Sequence, residues 1–474
     1  MAQNLGLEER RAARRDMMLN GNLLKVIPVV ALPMIVTMLI DALYNLADTY
    51  FVSQLGITAT AAVGVNDSLL HLMRSVALAF GMGAASPISK LMGAKREDEA
   101  SKVASTSVFT CMMVLSVLAL IAYIFRSDFV IFLGATEGAA PYAVEYATFI
   151  LISAPFTAGE VTCSQTLRAE GSTTYSMIGM VSGCVINVGL DPLFIRTFGM
   201  GVGGAALATT ISKAISFFIL LTPFLRGKTL LELRFKYFTP KWEIYKEIAK
   251  MGIPTLLRSS VMSLSAVFIN NMARLFGDAA LAAVSVANKC ARLVGSAVLG
   301  FGQGLQPIGG YCWGARRYAR VRQAFWTCTA IGAVVAVVLS VVLFILTPNV
   351  LGIFMDVEKD AETLRIGTIM LRTQCATMFP HVWVMIINGL YQALGRPVEA
   401  TILGLSRQVI FLIPAAFIMS RVWGVNGLAC SQAAADVLSL IVSVSMVIYQ
   451  MKKIKMLKDG DEPPAGYGLA KKMG

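Results

Sequence analysis

From residue 24 to residue 450 the chain alternates long apolar runs with short polar loops, a pattern that excludes most soluble folds. The runs fall at roughly 24–52, 59–88, 103–125, 139–165, 173–197 and 201–225. A second set lies near 250–276, 279–310, 322–347, 361–390, 397–419 and 424–450. A helix of about 20 residues crosses a hydrocarbon core of ~30 Å, so about twelve spans are expected. Strong period-two alternation is absent, which argues against a barrel. Composition agrees: 56% of the 474 residues are hydrophobic and 15% charged, with a mean hydropathy of +0.68. The expected fold class is an all-α polytopic membrane protein.

The net charge of +13 could suggest nucleic acid. Its distribution argues otherwise, because the basic residues sit in alternate loops rather than on one soluble face. Clusters fall at Arg10, Arg11, Arg14 and Arg15; at Lys90, Lys95, Arg96 and Lys102; from Arg226 to Lys250; at Arg316, Arg317, Arg320 and Arg322; and at Lys452, Lys453, Lys455 and Lys458. Simple alternation of the spans puts every cluster on one side. By the positive-inside rule both termini are then cytoplasmic, in a cell inner (cytoplasmic) membrane. The lead-in LEERRAARRD lacks the short apolar core of a signal peptide, so no cleavable leader is expected. The eight cysteines form no CxxC pair and read as small buried residues. His71 and His381 have no metal-ligand spacing.

The chain repeats itself. Pro33 matches Pro254, Leu55-Gly56 matches Phe276-Gly277, and Phe80-Gly81-x-Gly83 matches Phe301-Gly302-x-Gly304. Gly93-Ala94-Lys95-Arg96 likewise matches Gly314-Ala315-Arg316-Arg317, and each of these pairs is 221 residues apart. Gly201-Val202-Gly203-Gly204 matches Gly424-Val425-Asn426-Gly427 at 223. The pattern is a tandem duplication of a six-helix unit. The expected organisation is a cytoplasmic segment 1–22, an N-lobe 23–225, a cytoplasmic connector 226–249, a C-lobe 250–450 and a cytoplasmic tail 451–474, the end of it disordered. An even-numbered unit repeats in the same orientation, which puts substrate between two lobes.

Polar residues inside the runs carry the chemistry, since a charge at bilayer depth costs a few kcal/mol and usually does a job. Asp41, Asn45 and Asp48 share one face of the first run, with Tyr44 beside them. Asn187 and Asp191 are i and i+4 in the fifth, followed by Pro192, which loosens the helix. At 1.5 Å per residue Asp191 lies ~28 Å deep and Asp48 ~36 Å, so the two could meet. Thr209 in the sixth run could add a hydroxyl or only pack. Paired carboxylates in a low dielectric suit proton exchange, and with asparagine oxygens they also suit Na⁺. The second half does not repeat them: Ile269, Ile410 and Pro414 stand at the corresponding positions. Asp436 is the one deep carboxylate found there, open to a cavity role or a helix–helix hydrogen bond. Pro33 and Pro254 are either static kinks or places where a lobe bends. Gly81-x-Gly83 and Gly201-x-Gly203-Gly204 read as close-packing sites. No phosphate-loop motif is present, so no built-in ATPase is expected.

Two six-helix halves, a first-span proline fifteen residues before the aspartate of NLADTYFV, RAEG after the fourth span and N-x-x-x-DP in the fifth together resemble the MATE family, the multidrug and toxic compound extrusion transporters. The resemblance runs from about residue 20 to 450 and is closest to the MepA-like or DinF-like branch. It implies a V-shaped pair of bundles that exports organic, often cationic compounds in exchange for H⁺ or Na⁺, without enzymatic activity or cofactor. Asp48 and Asp191 match the family's N-lobe coupling carboxylates, Asn187 and Thr209 their hydrogen-bonding partners, and Pro33 the bending position. Asp41 stands where some relatives carry a neutral polar residue, and with Tyr44 and Asn45 it is assigned to the substrate cavity. The expected partners are small organic molecules, the coupling ion and membrane lipid, with the chain a monomer. Two rivals are a flippase for a lipid-linked saccharide, which would need a strongly basic cavity, and a channel or sensory protein.

Overall fold

The computed structural model describes residues 6–352 and 361–464. Among the described residues all regular structure is helical. Two compact units divide the described residues: 6–20 and 40–256 form the first, and 21–39, 257–352 and 361–464 the second. In order the helices are α1 (Leu7–Asn20), α2 (Leu23–Ser53), α3 (Ile57–Gly93), α4 (Glu97–Ile124), α5 (Arg126–Phe132), α6 (Ala140–Ile152), α7 (Ala154–Ala169), α8 (Thr173–Pro192) and α9 (Gly201–Leu225). Then come α10 (Trp242–Arg274), α11 (Asp278–Gly314), α12 (Tyr318–Gly352), α13 (Ala361–Ala376), α14 (Met378–Leu394), α15 (Pro397–Leu405) and α16 (Leu412–Lys455).

Among the described residues eight helices are long and apolar enough to cross a membrane, or nine if the bent α11 counts as one span. The other apolar runs are interrupted for local reasons. Run 139–165 is two helices, α6 and α7, meeting at Ser153, and 361–390 is α13 and α14 meeting at Thr377. Helix α7, at 16 residues, is short for a span and rich in polar residues, yet it buries Thr157, Glu160, Thr162, Ser164, Gln165, Thr166 and Arg168. Protein, rather than lipid, solvates that helix. The last run continues through α16, broken at Gly424 with φ 60° and ψ −139°, a conformation that only glycine adopts without strain. Outward faces are apolar: α12 exposes Val334, Val337, Val338, Val341 and Ile345. Patches of that kind on helices of spanning length are lipid surface. The protein is an all-α, multi-pass membrane protein.

The core of the first unit gathers Val63, Met73, Leu115, Tyr146, Ile150 and Ala154. That of the second gathers Ile269, Val284, Met370, Leu412, Ala416 and Leu428. The duplication reaches the backbone. Gly56 and Gly277, which precede α3 and α11, have φ of 103° and 95°. Lys95 and Arg316, the non-glycine residues of the matching GAKR and GARR turns, are both left-handed, at 61° and 57°. The same turn is drawn twice.

Glycines of the repeated motif are close-packing positions. A Cβ on Gly83 would lie 2.4 Å from the carbonyl oxygen of Ile248 on α10, and one on Gly304 2.8 Å from Cβ of Ala31. Neither neighbour is the free end of a flexible chain.

The basic connector is strapped to the first unit. Leu230 and Leu231 donate their N–H groups to Glu170 Oε2 at 3.0 Å each. Arg11 donates through Nε and Nη2 to the Leu230 carbonyl at 3.1 and 3.0 Å. Thr106 Oγ1 accepts from the Thr239 N–H at 3.1 Å and donates to its carbonyl at 3.2 Å. The tail departs from expectation in its described part. Asp459 Oδ1 accepts from Ala319 N–H at 3.0 Å and Tyr318 donates to the Asp461 carbonyl at 2.9 Å, which ties residues 459–461 to the start of α12. The rest of the tail lies outside the described residues.

Burial pushes the Glu170 carboxyl up from 4.5 to about 7, against the opposing pull of Ser172, the two backbone N–H groups and Arg14. A carboxyl raised in the folded state costs nothing while protonated; the penalty grows as pH climbs from the unfolded to the folded value, to about 3 kcal/mol. Thermal unfolding across that window should therefore show Glu170→Gln gaining stability relative to the parent as pH rises; a constant difference would contradict the linkage. By the same assay Gly83→Ala should cost about 1–3 kcal/mol, the usual range for overpacking.

Candidate functional site

The first unit holds two polar layers within its helices. In the outer one Asn187 and Asp191 project from α8, and Thr209 from α9 stands opposite; all three are buried. Pro192 follows Asp191 directly, and its missing N–H is accommodated by a π-helical turn, Leu193–Thr197. With its amide oriented to satisfy both ends, Asn187 donates to Asp191 Oδ2 at 2.9 Å and accepts from the Thr209 N–H at 3.2 Å. From α2 Tyr44 stands close to Thr209, and Asp48 lies within electrostatic reach of Tyr44 and Asp191. So Asp48, Asp191, Asn187, Thr209 and Tyr44 come together from three helices. Two oxygens stand out. Asp48 Oδ1 and Asp191 Oδ1 are buried and have no hydrogen-bond partner among the described residues. Buried carboxylate oxygens are normally satisfied, and leaving one unmet costs about 1–3 kcal/mol.

Asp41, nearly two turns along α2 from Asp48, belongs to the inner layer. Its carboxylate takes a bidentate pair from Arg74 on α3, at 3.0 and 3.3 Å. Glu160 on α7 accepts from Ser216 at 2.8 Å and pairs with Lys213 on α9 at 2.9 Å. Arg168, near the C-terminal end of the same α7, donates to Ser176 Oγ at 3.1 Å and Met180 Sδ at 3.5 Å. Asn45 shares the face but turns back, donating to its own Asp41 carbonyl at 2.5 Å.

Two residues lie in the second unit. Pro33 sits inside α2, where Thr37 Oγ1 donates to its carbonyl at 2.7 Å. Asp436 on α16 is ion-paired with Arg407 Nε and takes a long 3.5 Å contact from Thr377. Arg407 rides on a second π-helical turn, Ser406–Phe411, and its Nη2 lies 3.0 Å from His381 Nδ1. Asp436 thus works between helices, with a cation of its own.

Arg74, Lys213 and Arg407 have no part in the sequence reading, and Arg168 enters it only as the first residue of the RAEG motif. The signal was present: each is an isolated basic residue in or beside an apolar run, subject to the same cost as a carboxylate. Asp67 was missed as well; it stands within electrostatic reach of Asp48. Among the described residues no group of three or more His, Cys, Asp or Glu could hold a metal ion.

The ion pairs are exacting. Lys213→Met leaves the Glu160 carboxylate buried without its cation and should cost about 3–5 kcal/mol, with Glu160→Gln/Lys213→Met regaining most of it. Thermal unfolding of the two variants in one detergent checks this; equal losses would mean that the pair carries no coupling.

A family model described as MatE matches residues 33–193 and 254–418. The Multidrug export protein MepA of Staphylococcus saprophyticus is 26% identical over 424 residues, covering 89% of this chain and 92% of that one. A solved MATE structure in complex with MaL6 superposes with a TM-score of 0.88 at 26% identity, covering 93% of this chain and 99% of that one. The outward-facing structure of a multidrug resistance MATE family transporter of the MOP superfamily gives 0.88 at 25%, covering 93% and 98%.

Proposed function

The chain belongs to the MatE family, whose members are transporters rather than enzymes, and from that premise we propose that it exports organic compounds in exchange for H⁺ or Na⁺. The observation that carries the reading is the pair of unsatisfied carboxylate oxygens, Asp48 Oδ1 and Asp191 Oδ1, in one buried cluster. A proton or a Na⁺ ion is the smallest ligand that meets such oxygens, and Asn187, Thr209 and Tyr44 are the neutral groups that would hold it. No resident cofactor enters the reading. The relatives' names supply the cargo: multidrug export is what those proteins do.

The mechanism follows from differential affinity. With the cavity open outward, an ion reaches Asp48 and Asp191 and reduces their negative charge. A bound organic cation then loses its electrostatic partner and leaves. The neutralised cluster tolerates closure, the transporter turns inward, and loss of the ion restores the drug-binding state. Each ligand biases one two-state equilibrium. Pro33 is the position at which α2 would bend in that cycle. The basic loops support a cytoplasmic location for both termini, in a cytoplasmic membrane whose inner leaflet is anionic.

The test is uptake of a fluorescent organic cation into inverted vesicles containing the full-length protein, with pH and Na⁺ gradients imposed separately. One gradient should drive uptake, and Asp48→Asn or Asp191→Asn should reduce it by about tenfold or more. A double Asp48→Asn/Asp191→Asn variant with full gradient-driven uptake would overturn the assignment. No uptake under either gradient, across several cations, would instead favour a lipid flippase.

A further inference from the structure

The repeated turn meets its acids in two different ways. In the first unit α4 follows the GAKR turn and carries Glu97, Asp98 and Glu99 in its own first turn. Arg96 donates to both Glu99 oxygens, at 2.6 and 2.5 Å, and Arg15 of α1 pairs with Glu97. At the offset of 221 those three acids become Tyr318, Ala319 and Arg320, so α12 opens without one. Its first N–H groups and the positive end of its dipole are set among Arg316, Arg317, Arg320 and Arg322, an arrangement that calls for an anion.

The tail answers it. Asp459 Oδ1 accepts the Ala319 N–H at 3.0 Å, the Gly460 N–H donates to the Arg316 carbonyl at 3.0 Å, and Arg316 Nη1 donates to the Gly460 carbonyl at 3.3 Å. Glu462 pairs with Arg316 Nη2 at 3.5 Å, Tyr318 donates to the Asp461 carbonyl at 2.9 Å, and the Lys458 N–H closes the turn on Asp461 Oδ2 at 2.8 Å. What α4 holds within itself, α12 receives from a segment 140 residues away. The hold is an exposed one. The side chains of Arg316 and Glu462 are 42% and 87% accessible, and pairs of that kind are screened and contribute little. Charge around the turn is also unbalanced. Arg317, Lys452, Lys455 and Lys458 are exposed, and their side chains make no ion pair or hydrogen bond among the described residues. Four such cations point to an anionic partner outside the chain.

We propose that residues 459–462 are a detachable latch on the start of α12, and that the phosphate of an anionic lipid takes the place of their carboxylates. Lipid is the occupant that the charge pattern fits. The clusters at 316–322 and 452–458 close the ends of apolar runs, where the headgroups of an anionic inner leaflet lie within reach of Lys and Arg. A phosphate oxygen accepts the Ala319 N–H as Asp459 does, and takes the Arg316 guanidinium as Glu462 does. Closed, the latch ties the end of α16 to the start of α12; open, it unties those two ends. The first unit has no such release, because its acids belong to α4 itself.

Hydrogen exchange at single amides tests this on the full-length protein, in nanodiscs of phosphatidylcholine alone and of phosphatidylcholine with phosphatidylglycerol. Three amides report separately: Lys458 and Gly460 on the tail, and Ala319 on α12. A synthetic peptide of residues 456–464 in the same nanodiscs corrects for the effect of lipid charge on intrinsic exchange. Phosphatidylglycerol should speed exchange at Lys458 and Gly460 by about tenfold or more, while Ala319 stays protected because phosphate replaces the carboxylate there. Asp459→Ala/Glu462→Gln should exchange fast at both tail amides without phosphatidylglycerol and change little when it is added. Tail amides that exchange equally in both lipids in the parent protein would overturn the latch, and equal acceleration at all three amides would overturn the lipid as its occupant. Arg317→Gln/Lys455→Gln, whose side chains make none of the latch's bonds, should stay protected in phosphatidylcholine and respond less to phosphatidylglycerol. A response of full size in that variant would overturn the part assigned to the surrounding cations.

Discussion

The cost of an unpaired charge in a medium that cannot solvate it governs this structure more than any other interaction. Inside the helices three buried or half-buried cations are answered by carboxylates: Arg74 by Asp41, Lys213 by Glu160, Arg407 by Asp436. Removing one member of such a pair costs far more than the pair is worth, so these contacts fix rotamers and helix register tightly. Against that background Asp48 and Asp191 each keep one buried carboxylate oxygen without a hydrogen-bond partner among the described residues.

The two units meet this constraint differently on a common scaffold. The turns at Lys95 and Arg316 share a left-handed backbone, and so do the glycines before α3 and α11. The chemistry diverged: Asp48 has Ile269 at its equivalent position, and the second unit places its buried carboxylate, Asp436, beside an arginine. Duplication conserved what the backbone demands and released what the side chains do.

The connector end of the first unit follows a related logic with different partners. In the connector after α9, Glu170, Arg11 and Thr106 bond backbone groups of Leu230, Leu231 and Thr239. One carboxylate serving two amides is economical, and burial there is what makes that carboxylate sensitive to pH near neutrality.

Much of this was legible in the residues alone. Long apolar runs, a basic bias in alternate loops and matches 221 residues apart determined a duplicated helical membrane protein, because bilayer thickness and insertion act on the chain locally and linearly. Helical periodicity likewise put Asn187 beside Asp191 and Asp41 in line with Asp48. Only the tertiary structure decided which charges meet. Periodicity assigns a face but not a partner, so Asp41 and Asp48, aligned on one helix, fell to different neighbours: Arg74 comes from α3 and Asp191 from α8. Whether a carboxylate in a span ends as half of a salt bridge or as an unsatisfied acceptor depends on side chains brought in from distant helices, and that information lies in the packing.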